Sequence, residues 1–153
     1  MAKFAPVCPI HILEKLTPSA AGDYHLLLAH DVAEKANRYL NWFSHHRNMT
    51  IIMDNSVIEL GNAVDLKVIK KACDAVDVST IVLPDILLDG KATVESCSRA
   101  LDTWPREFEA YIGRQTSSGQ RRGFMYVPQG RTLAEWAYSA QALADNPYIN
   151  FWG

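Results

Sequence analysis

Cysteine is scarce and scattered: the chain holds three, Cys8, Cys73 and Cys97, and none belongs to a Cys-x-x-Cys pair. An odd, widely spaced set argues against a disulfide framework and a four-ligand zinc site, and suits a reducing cytoplasm. Each thiol lies in a helical stretch or near the terminus among apolar neighbours, the setting of an inert cysteine. No run of about 18 apolar residues occurs, and Met1-Ala2-Lys3-Phe4 does not open the apolar stretch of about 7 to 15 residues that a secretory signal needs. A cytoplasmic protein without a membrane span is expected. Charge of one sign is also lacking, with 15 Lys and Arg against 17 Asp and Glu and a formal net charge of -2. There is no global basic field, so any nucleic acid must be held by a local patch. Dinucleotide and NTP cradles (Gly-x-Gly-x-x-Gly, Gly-x-x-x-x-Gly-Lys-Ser/Thr), the Gly-x-Ser-x-Gly elbow and the His-x-x-x-His or Glu-x-x-His metal spacings are all missing. The sequence therefore predicts neither cofactor nor metal.

What is present is a foldable chain of 153 residues, 48% hydrophobic and 21% charged, the size and composition of one α/β domain over residues 1–153. Five short apolar runs stand out at 24–29, 50–53, 80–83, 124–127 and 148–151. Their continuous Ile, Val, Leu and aromatic content predicts strands of a parallel sheet. Amphipathic helical patterns lie between them. Val32, Ala36, Tyr39, Leu40 and Phe43 make one; Val64, Val68, Ile69, Ala72, Cys73 and Val76 a second, with Asn62 as cap and Asp65 three residues on. Val94, Cys97, Leu101 and Trp104 make a third. Leu133, Trp136, Ala137, Ala140 and Leu143 form a fourth behind the capping box Thr132-Leu133-Ala134-Glu135.

Strict alternation of strand and helix implies right-handed βαβ crossovers and leaves two architectures, a five-stranded doubly wound parallel sheet or a (β/α) barrel of TIM type. An eight-stranded barrel takes roughly 250 residues, ~200 at the short end. Length alone therefore favours the doubly wound sheet. Against it, the last strand runs to within a residue of Gly153 with no covering helix, the pattern of a fold stopped midway.

In either architecture the site lies just past the carboxyl ends of the strands. Those positions hold His30-Asp31, Asp54-Asn55-Ser56, Pro84-Asp85 with Asp89 a turn later, and Pro128-Gln129-Gly130. Carboxylates and a carboxamide converging on one rim can hydrogen-bond a flat heterocycle while one carboxylate does acid/base work. The same residue types also form turns and cap helices, which is the simpler reading of Asp31 or Asn55 alone. Asp54 and Asp85 directly follow strongly apolar strands, where an unpaired carboxylate is costly unless it has a use. His25 reads as a sheet or core histidine, and His45-His46 as the end of a helix whose dipole favours positive charge. The connection from Gly113 to Gly123 is rich in Gly, Ser and Gln, and Arg114, Arg121 and Arg122 give it a local positive charge, which suits either a solvated surface loop without a partner or a contact to phosphate.

Four stretches, in this order and spacing, resemble the tRNA-guanine transglycosylase superfamily, most closely its phage 7-deazaguanine DNA transglycosylases. They are Leu27-Leu28-Ala29-His30; Ile52-Met53-Asp54-Asn55-Ser56-Val57-Ile58-Glu59-Leu60-Gly61; Val82-Leu83-Pro84-Asp85 with Asp89 and Thr93; and Val127-Pro128-Gln129-Gly130 leading into Thr132-Leu133-Ala134-Glu135-Trp136. The resemblance implies a (β/α) barrel, of which about the first four and a half βα units are present, and so overturns the length-based preference. It implies a pentosyltransferase activity, the exchange of guanine in DNA, or less readily tRNA, for a 7-deazaguanine base, in a host cytoplasm if a phage encodes it. By the same likeness Asp54 is an acid/base residue near base and sugar, Asp85 accepts from the guanine amidine edge, and Gln129 addresses the base carbonyl. Gly130, Asn55, Ser56 and His30 complete the substrate site. The family's nucleophilic aspartate, and the zinc segment of its tRNA enzymes, lie in the half expected beyond Gly153. This chain alone then implies base recognition, with self-association or a missing C-terminal half completing the barrel.

Overall fold

The computed structural model describes residues 7–16, 24–46, 49–112, 114–116, 119 and 121–153. The five apolar runs form β1 (Tyr24–Leu28), β2 (Thr50–Asp54), β3 (Thr80–Val82), β4 (Gly123–Tyr126) and β5 (Ile149–Trp152). All pair in parallel, in the order β1-β2-β3-β4-β5, so each strand lies beside its neighbour in sequence. Before β1 comes α1 (Ile10–Leu13); between the strands run α2 (Ala29–Glu34), α3 (Ala36–Ser44), α4 (Val57–Leu60), α5 (Leu66–Ala75), α6 (Gly90–Glu107), α7 (Glu109–Ile112) and α8 (Leu133–Ala142). The expected α/β class with a parallel sheet is thus present. Among the described residues no helix is long and apolar enough to cross a membrane.

Register decides which side chains share a face. Leu27, Met53, Ile81 and Phe124 follow one row across β1 to β4, with His25 and Ile51 on a second row of the same face. That face is buried and joins one core cluster with Tyr39, Trp42 and Phe43 of α3, Ile69 and Ala72 of α5, and Cys97, Leu101 and Trp104 of α6. The opposite face is different. Leu26, Leu28, Ile52, Asp54 and Met125 are half-buried there, while its middle, Thr80 and Val82, is buried.

Several local expectations change. The helical pattern after β1 breaks at Lys35 into α2 and α3, and Leu40 faces solvent while Trp42 turns inward to donate its indole N–H to Leu13 O at 3.0 Å. Asp65, not Asn62, occupies the N-cap of α5, without a side-chain cap bond. The larger correction concerns α8. Leu133 is 81% exposed and Trp136 is exposed too, whereas Ser139 and Leu143 are buried. The Tyr126 hydroxyl meets Ser139 at both O (3.0 Å) and Oγ (2.6 Å), so a small hydroxyl residue, not the apolar stripe, faces the sheet. The Thr132 half of the capping box forms, its Oγ1 accepting from Glu135 N–H at 3.2 Å, whereas Glu135 reaches one residue past the cap and accepts from Arg131 N–H at 2.8 Å. His25 is buried against the edges of Trp42 and Phe43, and the Nδ1 atoms of His45 and His46 meet last-turn carbonyls at 2.8 and 2.6 Å.

Candidate functional site

Asp54 ends β2 and Asp85 lies three residues past β3, at the same rim of the sheet. Between them Asn55 acts as a strut. Its Nδ2 donates to Leu83 O and to Asp85 Oδ1, both at 2.7 Å, and its Oδ1 accepts from Val57 N–H at 3.0 Å. From the β4 side, Gln129 Nε2 donates to Asp85 Oδ2 at 2.6 Å while Leu88 N–H donates to Gln129 Oε1 at 3.3 Å. The Asp85 carboxylate, 5% exposed, is therefore gripped by two carboxamides whose own oxygens are pinned by backbone N–H groups. Three of the residues picked out by the sequence, Asn55, Asp85 and Gln129, meet directly.

Asp54 is held separately. Its Oδ2 accepts from Ser56 N–H at 2.8 Å. Burial pushes its carboxyl above the ordinary aspartate range, the Ser56 N–H opposes this, and the charges of Glu59 and Asp85 add to the rise. Ser56, buried, adopts a left-handed backbone with φ 65°, and Leu88 does so with φ 61°. Both are costly for residues with a Cβ, and both point an N–H at a site side chain. Neither conformation has a sequence signal, since glycine or asparagine is the usual occupant.

His30 sits in the first turn of α2, its backbone N–H 3.4 Å from Ser56 Oγ and its buried Nδ1 without a hydrogen-bond partner among the described residues. It faces a cavity of about 230 Å3 that also touches Leu26, Leu28 and Tyr39. Asp31 does not join the site. Lys35 and Tyr39 both donate to it, and although burial works the other way these bonds hold its carboxyl below the usual range. Asp89 is the N-cap of α6, accepting from Ala92 N–H at 2.9 Å. Gly130 is a close-approach position: a Cβ there would come within 2.4 Å of Trp136 N.

The basic connection divides. Residues 113, 117, 118 and 120 lie outside the described residues; Arg114 and Arg121 are exposed, and Gln115 bridges Arg121. Arg122 is turned inward, ion-paired to Asp77 and stacked over the Tyr111 ring at 4.7 Å, which removes it from a phosphate-facing surface. Burial pushes the Cys73 and Cys97 thiols up to about 12, so both stay protonated at neutral pH. Among the described residues no three His, Cys, Asp or Glu side chains gather as a metal would require. Lys91 and Arg131, unremarked in the sequence, stand beside the rim. Set against known proteins, the chain matches no protein-family model and no curated protein.

Proposed function

We propose that the chain is the base-recognition part of a transglycosylase that exchanges guanine in DNA for a 7-deazaguanine base. The observation that carries this is the Asn55–Asp85–Gln129 grip. Each Asp85 oxygen keeps a further lone pair, and Gln129 Nε2 keeps a second N–H. This leaves two acceptors beside one donor, the complement of the N1–H, exocyclic amine and carbonyl of a guanine-type edge. Asp54, with its raised pKa, is the acid/base group that hands a proton to the departing base and takes one from the incoming base. Gly130, Ser56 and His30 shape the surroundings.

The barrel form of the fold has two supports. Sequential strand order with right-handed crossovers puts successive helices on one side of the sheet, and the half-buried opposite face is where a barrel places its interior. Displacement also needs a nucleophile opposite the leaving base. A carboxylate attacks the sugar carbon as guanine leaves with the glycosidic electron pair, and the incoming base then displaces that carboxylate. We assign this nucleophile to a carboxylate that the base site does not itself hold, carried by further polypeptide, a partner or a second copy of this chain.

The test is incorporation of radiolabelled 7-cyano-7-deazaguanine into duplex DNA, with Asp54→Ala in parallel, beside equilibrium binding of the free base. Asp85→Asn is expected to weaken base binding at least about tenfold, the loss of one charge-assisted pair. Unchanged affinity removes Asp85 from the recognition role. The resting network is already satisfied without a ligand, which favours a second reading, a non-catalytic half-barrel that binds a purine-like base or a protein partner; exchange that is lost in Asp54→Ala excludes it.

A further inference from the structure

Between Asp85 and the α6 cap Asp89 the chain reads Ile86-Leu87-Leu88, three aliphatic residues that composition alone would place in a core. All three are exposed, Leu88 by 59%. The tip is nonetheless fixed. The Thr93 hydroxyl accepts from Ile86 N–H and donates to Ile86 O, each at 2.9 Å; Asp89 N–H closes on Ile86 O at 3.2 Å; and Leu88 is held left-handed on Gln129. A rigid, strained and solvent-facing apolar tip beside a buried polar site is costly without an occupant. In α4, which follows β2, Ile58 and Leu60 are exposed as well, by 74% and 50%.

Behind Leu88 a cavity of about 530 Å3 is lined by Lys91, Arg131 and Tyr138, together with Asp89 and Glu135. The two carboxylates are turned onto backbone N–H groups, Asp89 onto Ala92 and Glu135 onto Arg131. Among the described residues neither Lys91 nor Arg131 enters an ion pair. Apolar tips for bases and uncommitted cations for phosphates are the two halves of a nucleic-acid surface.

We infer that Leu87 and Leu88 form a wedge that fills the gap left by an extruded nucleotide, and that Lys91 and Arg131 hold the adjoining phosphates of the strand. This rests on the reading of Asp85 and Gln129 as a base site: a base can reach them once it leaves the stack, and an inserted aliphatic side chain offsets part of the unstacking cost. It places the nucleic-acid contact on the β3–β4 side of the rim, away from the inward-turned Arg122.

The experiment uses the full chain and a fluorescein-labelled duplex carrying 2-aminopurine, read by anisotropy across salt and by 2-aminopurine emission. Lys91→Gln with Arg131→Gln is expected to weaken binding about tenfold at low salt and to lower the salt slope by about 2. Leu88→Gly keeps the backbone N–H and relieves the left-handed strain, so it folds at least as well as the parent; it is expected to abolish the 2-aminopurine enhancement. Unchanged affinity, slope and emission in these variants overturn the surface, and free-base binding measured in parallel then decides separately whether base recognition stands. Absence of DNA binding by the parent chain also overturns it, and if Leu88→Gly reduces self-association in sedimentation the tip is a protein interface instead. DNA binding that responds to the variants while free base fails to bind supports the surface and removes the proposed base site.

Discussion

At the residue scale, Asp54 and Asp85 are neighbours with opposite circumstances. Asp85 is buried but doubly hydrogen-bonded, whereas Asp54 is partly buried and receives a Ser56 N–H that does not offset the loss of water. A raised folded-state pKa means that, just above the ordinary aspartate value, the folded chain binds more protons than the unfolded one. The Asp54 contribution to stability is then fully present below the unfolded value and is lost as pH rises through the folded value, with no further change above it. Denaturant unfolding measured from about pH 3 to 7 is expected to show that decline in the parent and a flatter profile in Asp54→Asn. An equally steep decline in the variant would assign it to another group. The variant would thus gain relative stability at neutral pH and, on the proposed function, lose exchange, the trade expected where a charge is kept for chemistry.

At the scale of elements, the strands were legible because short, continuously apolar runs such as Ile51-Ile52-Met53 and Ile81-Val82-Leu83 suit a parallel sheet, although the face that carries Ile52 is only half-buried. The rim positions were legible for the same reason, since a carboxylate directly after such a run marks the strand's end. The orientation of α8 was not. Leu133, Trp136, Ala137 and Ala140 make a better apolar stripe than the side that packs, and what turns the helix is the Tyr126–Ser139 contact together with the close approach of α6. Gly90 permits that approach, because a Cβ there would stand 2.6 Å from Gln129 O and 2.8 Å from Glu135 O. Gly90→Ala is expected to cost about 1–3 kcal/mol in thermal or denaturant unfolding and to weaken base binding by displacing Gln129. A variant as stable as the parent would show that the two helices can part freely. The grip on Asp85 was also illegible as geometry: Asn55 and Gln129 lie 30 and 44 residues from Asp85, and no local pattern reports that parallel pairing will bring them to one carboxylate.

For the whole molecule, the half-buried sheet face and the β5 edge matter most. β5 alternates half-buried and exposed residues, Trp152 stands out from its end, and the Leu133 and Trp136 stripe of α8 is exposed as well. Strand edges with apolar surroundings recruit other strands. Sedimentation velocity is expected to show species above the 17.1 kDa of one chain, and a strict monomer would remove a second copy as the source of the nucleophile that the proposed exchange requires. The sequential strand order has a further, kinetic consequence. Every strand pairs with the strand that precedes or follows it in the chain, so loop closure never spans more than one βα unit and the mean sequence separation of contacts stays low for a parallel sheet. Such a sheet can be built by adding one unit after another as the chain leaves the ribosome, with β3, buried on both faces, as the seam that gains protection against hydrogen exchange first and gives it up last.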